Sequence, residues 1–156
     1  MPAVQTPSVA AQLTAVLREA FEGPQEKWTY FIDNRPDAGL FATLAALSSA
    51  QASRPSGPSG NSIAGHVHHL AFSCAASAAW IRGERPSLNW DESWRIRTVT
   101  DPEWGALKDQ LRKEYTALLA AIEQHALTND ESLGGSIGAV AHVAYHLAAI
   151  RYKRSP

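Results

Sequence analysis

The chain has 156 residues, the size of one ordinary domain, so a single core over residues 1–156 is the first expectation. Its 14 basic and 15 acidic side chains nearly cancel, which leaves no electrostatic footprint for nucleic acid or an anionic bilayer. The single cysteine, Cys74, excludes an internal disulfide and a cysteine-based zinc module, and it fits a reducing compartment.

The first seven residues show no basic start, apolar run or cleavage pattern, so a cytoplasmic protein is expected. Alanine is the commonest residue and β-branched residues never alternate as in strands, which predicts an all-α fold. A first helix is expected over 8–22, capped by Ser8 after Pro7 and stopped at Gly23-Pro24, with Leu13, Val16 and Leu17 on one stripe. Residues 27–36 are aromatic and then turn-like, and a shorter helix is expected over 37–52 through Leu40, Leu44 and Leu47. Residues 53–61 concentrate Pro, Gly and Ser and read as a mobile loop within the domain.

A helix restarts after Asn61 or Ser62, either of which can cap it, and carries Ile63, Val67, Leu70 and Cys74 at helical spacing as far as Arg82-Gly83. Residues 84–100 are tryptophan-rich and irregular. Without a basic stripe, their aromatics are expected to cover one end of the core and not to stack on bases. Asp101-Pro102-Glu103 opens a helix to about residue 125, with Asp101 as cap and Trp104, Leu107, Leu111, Tyr115, Leu118 and Ile122 as its apolar stripe. After a polar turn over 128–135, a last helix is expected over 136–151. It is apolar almost all round, which places it at the centre of the bundle or in an oligomer interface. Its run 137–150 falls short of the ~20 residues a spanning helix needs, so no membrane is expected. Four main helices with a short extra one predict a four-helix bundle.

Five of the six histidines fall into two short segments. His142 and His146 lie four apart on the last helix, ~40° apart in azimuth and ~6 Å in height, so both imidazoles can reach one ion. No glutamate lies between them, which sets them apart from the zincin motif. His66 and His69 share a flank of the helix starting near Asn61, and either can supply a third ligand across the bundle, with His66 nearer the apolar stripe. Three neutral imidazoles would leave a metal with an open coordination position, as catalytic sites require. Two imidazoles on so apolar a helix need hydrogen bonds or a metal to offset their burial, and Gly138 and Ala149 beside them leave room for a ligand. His68 and His125 read as surface groups, His125 complementing a helix dipole, and Cys74 as an inert core thiol. Asp91, Glu92, Asp130 and Glu131 read as solvated turn groups.

The run Ser62-Ile-Ala-Gly-His-Val-His-His-Leu70, then Trp90-Asp-Glu-Ser-Trp94, then Ala141-His-Val-Ala-Tyr-His-Leu-Ala-Ala-Ile-Arg151, resembles the DinB superfamily over nearly the whole chain. The resemblance implies a four-helix bundle, commonly a homodimer, with a divalent metal such as zinc or nickel held by one histidine of the second bundle helix and a His-x-x-x-His pair of the last. Counting from Ser62, it points to His69 as the first ligand, and the pair matches His142 and His146. Ala148 and Tyr152 stand where close relatives often carry Gly and Gln. Characterised members include transferases and isomerases that use low-molecular-weight thiols, which implies a metal-bound thiolate nucleophile and a small-molecule substrate. The rival expectation is a non-catalytic dimeric bundle, stress-associated or ligand-binding, whose histidines hold no metal.

Overall fold

The structure, a computed structural model, describes residues 8–154; the expected N-terminal features, including Pro7, lie outside them. Among the described residues every regular element is helical. They are α1 (Val9–Glu22), α2 (Leu40–Ala45), α3 (Ser49–Ala52), α4 (Ile63–Ile81), a 3-10 helix (Trp90–Trp94), α5 (Asp101–His125) and α6 (Asp130–Arg154). The long helices α1, α4, α5 and α6 form the expected bundle. Both α4 and α1 pack against α5 and α6, so α1 and α4 stand on one diagonal. Their inward faces make one contiguous core that includes Leu17, Phe21, Leu70, Leu111, Leu118, Ile122, Leu147 and Ile150.

Local chemistry sets the boundaries. Ser8 caps α1 by accepting from the Ala11 N–H (3.1 Å), and Gly23, at φ +96°, ends it in a conformation that a side chain would strain. Gly39 presses against that turn so closely that a Cβ on it would lie 2.3 Å from the Gly23 nitrogen. The helix expected over 37–52 is two helices that begin only at Leu40. Ser48 breaks it by capping α3 in a reciprocal box with Gln51, and the Leu47 carbonyl turns outward to accept from Trp104 Nε1–H (2.9 Å).

Of the two caps proposed for α4, Ser62 serves, accepting from the Gly65 N–H at 3.1 Å. For α5 the cap is Thr100 instead of Asp101. The Glu103 carboxylate accepts from both the Thr100 N–H (2.7 Å) and its hydroxyl (2.8 Å), which leaves Asp101 and Pro102 inside the first turn. The expected polar turn over 128–135 is mostly the first turns of α6. Asn129 Oδ1 accepts from the Ser132 N–H (2.8 Å), and Ser132 Oγ donates to the Ile81 carbonyl (3.0 Å), tying the start of α6 to the end of α4. Gly134 and Gly135 are thus helical, because this anchor outweighs their poor helix propensity.

At 25 residues α6 is, by length and composition, long and apolar enough to cross a membrane, as a core helix can also be; the length argument against a span does not hold. Only one of its faces is buried, through Ser136, Ala139, Val143, His146, Leu147 and Ile150. The other exposes Ile137 (53%), Tyr145 (70%) and Tyr152 (84%).

Candidate metal centre

Because α4 and α6 run antiparallel, the first third of α4 lies beside the second half of α6. His66 and His69, one turn apart on α4, therefore meet His142 and His146, one turn apart on α6. The Nε2 atom of His142 lies 3.0 Å from that of His146 and 3.3 Å from that of His69. These three residues can offer donor atoms all within 4.8 Å of one another. His66 stands behind them, its Nδ1 2.9 Å from His146 Nδ1. The structure thus brings together four of the five histidines in the two segments singled out above, and it separates a converging trio from the fourth.

The tryptophan-rich segment covers this cluster, not an end of the core as expected. Asn89 starts its 3-10 helix by accepting from the Asp91 N–H (3.1 Å), which brings Trp94 flat against the His69 ring, 4.2 Å between centroids and 15° between planes. Trp94 also meets His66 edge-on at 5.2 Å. Gly65 permits the approach, since a Cβ there would stand 3.0 Å from the Ile96 carbonyl oxygen and 3.9 Å from the Trp94 ring.

Ser93, fully buried, lies at the centre of the contact. Its hydroxyl donates to the Trp90 carbonyl (2.6 Å) and sits 2.8 Å from His69 Nδ1. His68 is no free surface group either, for its Nδ1–H donates to the Ser93 carbonyl at 2.7 Å. Ser73 adds a longer contact, 3.4 Å, to His69 Nε2. Sequence reasoning missed Ser93 and Ser73, and Asn89 ahead of Trp-Asp-Glu-Ser was the one local signal of an ordered turn there.

Burial sets the electrostatics. Desolvation lowers the imidazole pKa values of His66 and His69 to about 4 and that of His146 to about 3, and it also lowers that of His142. Neighbouring rings add to the effect at His69 and His146, and Lys153 adds to it at His66. All four rings are therefore neutral at pH 7, the state in which imidazole binds a metal. Three neutral nitrogen donors converging on one point fit a divalent metal ion.

Elsewhere, Cys74 is fully buried, and desolvation pushes its thiol up to about 12, as an inert core residue requires. Gly138 faces open space on the outer side of α6 and does not line the cluster. Arg85 pairs with Glu131 (2.7 Å) and Arg95 with Glu92 (3.7 Å), both at the surface.

The family model for the DinB superfamily matches residues 32–150, a stretch that holds all four clustered histidines and the 3-10 helix. No curated protein and no solved structure gives a match.

Proposed function

Because the chain belongs to the DinB superfamily, we propose that His69, His142 and His146 hold a divalent metal ion, zinc or nickel, and that the protein is a metal-dependent enzyme acting on a small molecule. The observation that carries this reading is the convergence of three neutral imidazole nitrogens from two helices. The reaction class we favour is transfer or isomerisation that uses a low-molecular-weight thiol. When bound, the metal would supply a lowered pKa for a coordinated thiol or water. The chain's own residues provide a dry wall on one side: Trp94 covers His69, while His142, only half-buried, leaves the opposite side approachable. We place the protein in the cytoplasm, a proposal supported by its single buried cysteine.

Metal analysis tests the reading. Protein purified without a His-tag should carry close to one zinc or nickel per chain, and a His142→Ala/His146→Ala variant should carry none. Chelation should lower the melting temperature of the wild type and leave that variant unmoved, since an ion bound only by the native state stabilises it. Wild type that stays metal-free after incubation with zinc or nickel would sink this reading and favour the non-catalytic bundle.

A further inference from the structure

The cluster holds four histidines, yet only three converge, and the fourth sits where it can control one of the three. Ser93 has a single hydroxyl proton, and at 2.6 Å the Trp90 carbonyl takes it. Ser93 Oγ can therefore only accept from His69 Nδ1 at 2.8 Å, so the proton of His69 is on Nδ1 and its Nε2 presents a lone pair. Ser93 is fully buried, which shields this bond from bulk solvent.

At His146 the partner is His66. Their Nδ1 atoms are 2.9 Å apart, so one carries a proton and the other a lone pair. His146 Nε2 points at the meeting place of the trio, 3.0 Å from His142 Nε2, whereas His66 Nε2 makes no hydrogen bond among the described residues. The arrangement that serves the converging atom puts the proton on His146 Nδ1, donating to His66. With lone pairs then on both His69 Nε2 and His146 Nε2, the contacts of 3.3 and 3.0 Å to His142 Nε2 are attractive only if His142 is the donor there.

We propose that Ser93 and His66 are positioning residues that lock His69 and His146 as Nδ1–H tautomers, and that His142 is the one histidine free to change tautomer when the site is filled. This rests on the reading of the trio as a metal centre. It assigns His66 as the hydrogen-bond acceptor of a ligand, not as a ligand. On uptake of an ion, the His142 proton leaves Nε2 and one is taken up at Nδ1, which has no partner among the described residues on a half-buried ring, so water can deliver it. The balance is one proton lost from one ring nitrogen and one gained at the other. Outer partners of this kind are generally worth ~10–100-fold in metal affinity.

Two measurements test the proposal, and the first needs no metal. Long-range proton–nitrogen NMR of the metal-free wild type should show His69 and His146 protonated on Nδ1 and His142 on Nε2; His146 protonated on Nε2 would overturn the assignment. The second is zinc competition against a chromophoric chelator. Ser93→Ala and His66→Phe should each bind ~10–100-fold more weakly than wild type. Ser93→Thr and His66→Asn, which keep an acceptor in place, should recover most of the loss. Equal affinity in wild type and both truncated variants would also overturn the proposal. Should a truncated variant fail to fold, the wild-type spectrum and the two conservative variants decide. A wild type that binds no zinc would refute the metal centre, while the tautomers would still stand or fall on the NMR.

Discussion

His146 shows what burial does to a single residue here. It is 3% exposed, its pKa is held at about 3, and His66 and His69 follow at about 4. Each folded value lies below the ordinary 6.5, so the unfolded chain takes up protons first as the pH falls. The stability these rings contribute is therefore complete above pH 6.5 and is lost progressively toward 4 and 3. The urea midpoint of the metal-free protein should be lower at pH 5 than at pH 7.5; an unchanged midpoint would mean that the rings are better hydrated than their burial implies. Cys74 gives a second check at this scale. Its thiol should resist alkylating reagents in the native protein and react at the rate of unfolding. Glu19 gives a third. Its buried carboxylate accepts from the backbone N–H groups of Tyr30 (2.7 Å), Phe31 (2.9 Å) and Ile32 (3.3 Å). Glu19→Leu strands three donors, and a loss of ~1–3 kcal/mol or more should appear in chemical denaturation.

At the scale of elements, the sequence made α1, α4 and α5 legible to within a residue or two, because caps and apolar periodicity agree there. It misled where tertiary contacts decide. The apolar pattern over 37–52 resumes beyond Ser48-Ser49, where the Ser48–Gln51 capping box starts a new helix and the Leu47 carbonyl turns to Trp104 Nε1–H. The start of α6 was hidden by two glycines that the Ser132–Ile81 anchor makes helical. In the candidate site, the His142/His146 pair could be read from its spacing alone, whereas spacing left His66 and His69 level, since both lie on the buried flank of α4. What separates them is the 3-10 helix, whose Ser93 and Trp94 engage His69. Gly65 tests this dependence: Gly65→Ala places a methyl group 3.0 Å from the Ile96 carbonyl oxygen and should cost ~1–3 kcal/mol while weakening metal uptake at the proposed centre.

For the molecule as a whole, the outer face of α6 bears on assembly. Gly134, Ile137, Ala141, Tyr145, Ala148 and Tyr152 recur at intervals of three and four residues, and all are exposed without one charge among them. We propose that this face pairs with a second copy of the chain, the small residues letting the helices approach and the tyrosines packing across. Light scattering should give twice the chain mass for wild type and the chain mass for Tyr145→Glu. A monomeric wild type, or one that partitions into lipid vesicles, would refute the pairing.

The flat contact between Trp94 and His69 also makes the protein its own optical gauge. An imidazolium in van der Waals contact quenches an excited indole by accepting an electron, and a neutral imidazole does so far less. Emission from Trp94 should therefore dim as acid reaches His69, at a pH near 4 in the folded state and well below the 6.5 of a free ring. The difference between wild type and Trp94→Phe isolates this signal from the other four tryptophans and reports, in light, the electrostatic state of a buried ring.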